Sequence, residues 1–336
     1  MFDINQNIPL LLSLVFIVGG LVMLAWSADR FVDAAAGLAR RFGVSPLIVG
    51  MVIIGFGTSA PELAVSALSG LSGHSNLSMG NAYGSCIFNL CAILGMTALI
   101  KPIKVKPSAF IGAPLLAVLA GISLWLVWDG AFSRREGLLL LGLFAVLFPG
   151  YGLLDRKLNP SKAEAGEEGT APTGGSVGRD AFWLVLGLVL LMGSSHVLVW
   201  GCVDFARDVL HVSDLMIGLT VVAAGTSLPE LASAIASARR GENELVVGNI
   251  IGSNLFNTLA VVGIAGSICP FSDFSKYILY RDLPLMIVAS LVVLWFGVNQ
   301  GRDAAHKRGD VVRWEGALLL AAYFIYLGVM IYQEAF

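Results

Sequence analysis

Apolar stretches of roughly 20 residues recur along nearly the whole chain, each long enough for an α-helix to cross about 30 Å of hydrocarbon. A chain built this way is expected to be an all-α membrane protein. Composition agrees, because 57% of the 336 residues are hydrophobic and only 13% are charged, whereas soluble domains carry about 25% charged residues. The net charge of −2 gives no basic surplus for nucleic acid. Cys86, Cys91, Cys202 and Cys269 fall in or beside apolar segments without a C-x-x-C spacing, so they read as small buried hydrophobes rather than a metal or redox site.

About ten helices are expected, over 8–27, 43–71, 77–100, 109–128, 134–153, 180–202, 212–238, 245–269, 281–299 and 313–333. Five fall in each half. The first residues lack the basic stretch of a signal peptide, so the first run reads as a retained span. Residues 155–179 are rich in Gly, Pro, Ser, Lys and Glu, the composition of a flexible linker. The chain therefore divides into a first repeat (1–154), a cytoplasmic linker loop (155–179) and a second repeat (180–336). With the N-terminus outside, Arg30, Arg40, Arg41, Lys101, Lys104, Lys106 and ten further basic residues share the inner side, and Arg134, Arg135, Arg207, Lys276 and Arg281 the outer. Sixteen against five places both termini outside, because Lys and Arg favour the cytoplasmic face. The expected location is the cytoplasmic (inner) membrane.

A search for self-similarity is more informative still. Residues 57–62 read GTSAPE and 225–230 read GTSLPE; residues 80–89 read GNAYGSCIFN and 248–257 read GNIIGSNLFN. Every matched pair is 168 residues apart without a gap, including Gly50 with Gly218, Gly95 with Gly263 and Pro102 with Pro270. An odd number of helices per half makes the second copy enter the membrane from the opposite side. That is an inverted repeat, the architecture of many transporters, with a substrate site near the midplane between repeats.

Packing alone accounts for repeated Gly and Pro, but not for Glu62 and Glu230, because a carboxylate within hydrocarbon costs several kcal/mol on the order given for intramembrane charges. Neither has a Lys or Arg nearby in its segment. Pro61 and Pro229 lack an N–H, so the carbonyls of Gly57 and Gly225 lose helical partners and the helix loosens there. Such carbonyls are tolerated only against protein or a water-filled cavity, where they are hard oxygen ligands. Thr58 and Thr226 share that turn. Asn81, Ser85 and Asn89, like Asn249, Ser253 and Asn257, recur every four residues and line one helix face. Asn81 and Asn249 read equally well as interhelical hydrogen-bonding residues, while Ser85, Asn89, Ser253 and Asn257 read as ligands. Oxygen donors without paired His or Cys select hard cations such as Na⁺ and Ca²⁺.

These two duplicated motifs resemble those of the sodium/calcium exchanger family, of bacterial type, within the calcium/cation antiporter superfamily, which carries G-T-S-x-P-E and G-N-x-x-G-S-N-x-x-[ND] twice. The likeness is most specific in 43–100 and 211–268. It implies ten helices in two inverted five-helix repeats and a midplane metal site. The ligands it implies are Thr58, Ser59, Glu62, Ser85 and Asn89, with Thr226, Ser227, Glu230, Ser253 and Asn257. It also implies that the first helix of each half slides over the core to alternate access. Two positions depart from the pattern: Asn257 stands where some calcium exchangers have Asp, and Cys86 replaces the Asn expected after Ser85.

The expected function is antiport of Ca²⁺ against Na⁺, competing for one set of oxygens; the alternative is Ca²⁺/H⁺ or another cation/H⁺ exchange. Membrane lipid and inorganic cations are the expected partners, with no cofactor, and a single copy is expected to act as a monomer. An enzyme is not expected. Ser59 or Ser227 as a nucleophile would need a positioned base, and His74, His196, His211 and His306 lie outside both motifs. Inverted repeats also favour a carrier over a passive channel. Glu136 and Glu315 read as helix N-terminal caps, Asp29 and Asp33 as surface partners of basic residues, and Lys101, Lys104 and Lys106 as a topology anchor.

Overall fold

The computed structural model describes residues 10–73, 75–105, 112–158, 176–208, 223–270, 272, 275–298 and 309–335. It is predominantly helical. The helices are α1 (Leu10–Phe42), α2 (Pro46–Thr58), α3 (Ala60–Leu71), α4 (Asn76–Ile100), α5 (Gly112–Leu126) and α6 (Arg134–Leu158) in the first half. The second half holds α7 (Val177–Asp208), α8 (Leu228–Arg240), α9 (Asn243–Ile268), α10 (Ile278–Gly297) and α11 (Arg313–Ala335). Six of these, α1, α4, α7, α9, α10 and α11, are long and apolar enough to cross a membrane, and α2 with α3 forms a seventh if that bent pair is one span.

Several boundaries differ from the expected ones for physical reasons. α1 runs fifteen residues past the expected end at 27 because hydropathy falls at Asp29 and Arg30 while the helix continues as an amphipathic one. Ala28, Phe31, Val32, Ala35, Ala36 and Ala39 are buried on one side of that extension, and Asp33 meets Arg240 on another. α6 reaches Leu158 and α7 begins at Val177, so helix occupies both ends of the expected 155–179 linker. The expected span 43–71 is broken between Thr58 and Ala60 with a 44° bend. Residues 212–222 of the expected 212–238 span, and 159–175 of the linker, lie outside the described residues.

The centre is α9, buried along its whole apolar length, together with most of α4. Lipid tails are as apolar as Leu, so close backbone approach has to hold such helices together, and small residues allow it. At Gly248 and Gly252 an added Cβ would run into the backbone of Leu47 and Met51 on α2, and at Gly50 into Leu245 and Asn249 on α9. The outer helices cross over between halves: Gly137 of α6 lies against Gly263 and Ser267 of α9, and Gly316 of α11 against Gly95 of α4. A two-stranded ribbon, β1 (Ile103–Val105) with β2 (Gly309–Val311), ties the end of α4 to the start of α11, with Lys104 opposite Asp310.

α1 and α7 form an antiparallel pair. Gly20 faces Leu198, Gly187 faces Phe31 and Gly201 faces Phe16. Ser13 donates to Asp204 at one end, and Arg41 pairs with Asp180 at 2.8 Å at the other. Glu136 accepts from the Ser133 N–H and Glu315 from the Val312 N–H at 2.9 Å, so both cap their helices. Asp33 pairs with Arg240 at 2.8 Å, and Lys101 Nζ donates to the Arg239 carbonyl at 3.2 Å.

Candidate cation site

Each Gly-Thr-Ser-x-Pro-Glu motif forms a turn followed by a new helix. Pro61 and Pro229 sit in the first two positions of α3 and α8, where the missing N–H leaves nothing unpaired and the fixed φ favours helix initiation. Ser59 and Ser227 are the N-cap residues, and Glu62 and Glu230 lie in the first turn, where the helix dipole favours an acid. Ser-x-x-Glu at a helix start is the capping-box pattern, in which serine would serve its own helix. Here neither serine makes a side-chain cap bond. Ser59 Oγ donates to Glu230 Oε1 at 3.0 Å, and Ser227 Oγ donates to Glu62 Oε1 at 2.8 Å. Thr58 does not follow the serines: its Oγ1 donates to the Ile54 carbonyl of its own helix at 2.9 Å and lies 3.5 Å from Asn249 Oδ1. The two carboxyl groups thus belong to one cluster, each held by the serine hydroxyl of the opposite motif.

The second blocks wall this cluster. Asn81 Nδ2 donates to the Glu62 carbonyl at 3.3 Å and to Ser66 Oγ at 3.1 Å. Its counterpart Asn249 donates to the Glu230 carbonyl at 3.2 Å and to Ser233 Oγ at 3.1 Å. Those donors are spent on helix pairing, which favours the interhelical reading of both residues. Ser85 Oγ lies 3.2 Å from Ser227 Oγ, and Ser253 Oγ donates to the Gly55 carbonyl at 3.3 Å. Asn89 and Asn257 both fall in π-helical turns, Phe88–Ile93 and Phe256–Val261, rather than on the regular α-helical face that their spacing suggests. Such wide turns are frequent at functional sites.

One expectation about backbone ligands is corrected. The Gly225 carbonyl is taken by Ser195 Oγ of α7 at 3.0 Å, so it does not stand free beside Pro229. The sequence contains no signal linking Ser195 to that turn. Asn254 is a site neighbour that motif reading passes over: Asn89 Nδ2 donates to its Oδ1 at 3.1 Å. The signal was there, because at position 254 the second copy keeps the Asn of the motif while the first has Cys86.

Nine of the ten expected ligand residues are buried, with Thr226 partly so. Glu62, Ser59, Ser227 and Asn257 are fully inaccessible. Glu62 Oε2, Glu230 Oε2, Asn89 Oδ1 and Asn257 Oδ1 are buried without a hydrogen-bond partner. Buried acceptors left unpaired cost roughly 1–3 kcal/mol each, more when charged, and a hard cation is the chemistry that oxygens of this kind satisfy. Among the described residues no group of three His, Cys, Asp or Glu side chains converges, so the donor set is carboxyl, hydroxyl and amide. His196 lies exposed on α7, whereas His74, His211 and His306 lie outside the described residues.

Comparison with known proteins identifies the family. The family model described as sodium/calcium exchanger protein matches residues 12–148 and 180–332. CaxA of Alkalimonas amylolytica is 40% identical over 94% of this chain and 98% of its own length. The sodium/calcium exchanger MaX1 of Methanosarcina acetivorans is 30% identical, covering 96% of this chain and 97% of the relative. The solved sodium-calcium exchanger NCX_Mj superposes with a TM-score of 0.79 at 27% identity, over 96% of this chain and all of that one. The chain is a multi-pass membrane protein and belongs to the sodium/calcium exchanger family.

Proposed function

We propose that the chain exchanges Ca²⁺ for Na⁺ across the cytoplasmic membrane, at a site near the midplane between two inverted five-helix repeats, with both termini outside. The observation that carries this is the crosswise pairing of Ser59 with Glu230 and Ser227 with Glu62. It gathers two carboxyl groups from opposite halves into one buried, oxygen-lined cluster. Two carboxylates balance one Ca²⁺, and the same oxygens suit Na⁺. Thr58, Ser59, Glu62, Ser85 and Asn89, with Thr226, Ser227, Glu230, Ser253 and Asn257, form the ligand set of this reading. Each ion leaves when the other occupies the shared site, which is the simplest basis of exchange. The α1–α7 pair, joined along its length by glycine contacts and at both ends by polar ones, slides over the core to alternate access.

The test is sodium-gradient-dependent ⁴⁵Ca uptake into proteoliposomes. Uptake should collapse in Glu62→Gln and Glu230→Gln while folding is retained. Absence of flux, or flux indifferent to both substitutions, overturns the reading. A pH gradient that drives uptake without Na⁺ replaces it by cation/H⁺ exchange on the same site.

A further inference from the structure

Several hydrogen bonds of the site repeat under the same 168-residue offset as the sequence. Ser59 to Glu230 is matched by Ser227 to Glu62, and the Asn81 bond to the Glu62 carbonyl by that of Asn249 to the Glu230 carbonyl; the second Asn81 bond, to Ser66, has its mate one residue out of step, at Ser233, because Ala234 stands at the equivalent position. The bond from Asn89 Nδ2 to Asn254 Oδ1, 3.1 Å long, breaks the pattern. Its mate would run from Asn257 Nδ2 to the side chain at position 86, and that residue is Cys86. The buried thiol of Cys86 lies 3.8 Å from the Asn254 main-chain carbonyl and 3.6 Å from Thr258 Oγ1. A thiol is a weak acceptor and has no amide-like oxygen to offer. Asn257 accordingly has neither Nδ2 nor Oδ1 in any hydrogen bond, although the residue is fully buried.

Not every departure from symmetry has this cause. Ser227 meets Ser85, while Ser253 bonds Gly55 and Asn249 instead. The serines are identical in the two copies and the Gly55 acceptor is a main-chain carbonyl, so that difference is one of conformation. At positions 66 and 234 the change from Ser to Ala is made good by Ser233, one residue earlier, whereas at positions 86 and 254 the change of residue type leaves the Asn257 amide without a hydrogen-bond partner.

We propose that Asn254 is a positioning residue whose side-chain oxygen braces the Asn89 amide from the opposite half. Cys86, lacking that oxygen, leaves the Asn257 amide unbraced, so the two halves hold the cation unequally. The carboxamide is planar with nitrogen and oxygen on opposite arms. Fixing Asn89 Nδ2 therefore fixes Oδ1, the atom left without a protein partner, as the ligand face. Asn257 has to be oriented by the cation itself, at the cost of ordering the amide on binding. The inference rests on the proposed cation site between Glu62 and Glu230.

The experiment compares Ca²⁺ half-saturation and maximal exchange rate in proteoliposomes for wild type, Asn254→Cys, Cys86→Asn and the swap Cys86→Asn/Asn254→Cys. One neutral hydrogen bond corresponds to about two- to tenfold in a binding constant. Asn254→Cys should raise the Ca²⁺ half-saturation by about that factor, Cys86→Asn should lower it, and maximal rates should stay within about twofold on the same reasoning. The swap moves the single brace from Asn89 to Asn257 and should return half-saturation to near the wild-type value. A swap as impaired as Asn254→Cys would show that position 254 only packs, and overturns the proposal. So does a Cys86→Asn variant with unchanged half-saturation, which carries the test alone if Asn254→Cys fails to fold. Wild-type Ca²⁺ uptake that is insensitive to Glu62→Gln is a different failure, one of the cation site itself, and the brace falls with it.

Discussion

Substituting Gly252 by Ala places a methyl group where the central helix α9 meets α2, and the consequence can be followed to the site. The new Cβ would stand 2.5 Å from the Met51 carbonyl oxygen, 2.6 Å from its Cα and 2.8 Å from its Cγ, whereas ordinary contact begins at 3.4 Å. Two of these atoms are backbone, so no rotamer relieves the clash, and the helices must part by about 0.9 Å to restore normal contact. Two bonds beside this contact have no slack. Ser253 to Gly55 is 3.3 Å and Thr58 to Asn249 is 3.5 Å; parting by that amount along them gives about 4.2 and 4.4 Å, beyond hydrogen bonding. Overpacking costs about 1–3 kcal/mol, with the two broken bonds adding to it. The assay is thermal unfolding in detergent followed by tryptophan fluorescence, together with Ca²⁺ binding, against Gly121→Ala and Gly142→Ala as controls. An added Cβ at either control position meets nothing within 4 Å, and Ala in a helix interior gains roughly 0.5–1 kcal/mol over Gly. Gly252→Ala should melt well below both controls and bind Ca²⁺ more weakly. If it melts with them and binds as wild type, the close α2–α9 approach does not hold the site together.

Ser227→Ala removes bonds to both Glu62 and Ser85, while Ser59→Ala removes only the bond to Glu230. Hydrogen bonds to a charged group contribute about 1.5–3 kcal/mol, so Ca²⁺ affinity should fall at least about tenfold in both, and further in Ser227→Ala; calorimetric titration decides the order. Arg41 and Asp180 are both largely buried, so a double-mutant cycle of Arg41→Ala with Asp180→Ala should give a coupling of roughly 1–3 kcal/mol in chemical unfolding. Arg240 with Asp33 is half-exposed, so Asp33→Asn should shift stability by less than about 1 kcal/mol and by less still at high salt.

Much of this site was legible because the chain states it twice. Spacing identified which residues are equivalent, and the carboxylates, hydroxyls and amides so identified gather in one buried region. Spacing could not say which copy bonds which. A Ser-x-x-Glu stretch is locally satisfied by closing on its own helix, and only tertiary structure sends Ser59 to Glu230 and Ser227 to Glu62. The π-helical turns at Phe88 and Phe256 were hidden for a similar reason, since one extra residue per turn leaves no mark on hydropathy. The end of α1 was missed where hydropathy falls and an amphipathic pattern takes over: Arg41 looks like a loop residue until it is seen to pair with Asp180, at the start of an expected span.

The crosswise arrangement bears on why exchange would be coupled. If each carboxylate were held by its own helix start, either half of the site would survive a shift of the other. Here every displacement that separates Ser59 from Glu230 works on the same turns that join Ser227 to Glu62, because each turn supplies one donor and one acceptor. Separating the motifs would strand two buried carboxylates at once, and stranding one charged acceptor already costs more than the roughly 1–3 kcal/mol of a neutral one. The cluster is therefore stable when it is whole and costly to open without a cation to hold the oxygens. On the proposed function, that penalty against the empty, separated state is what makes a carrier of this site rather than a leak.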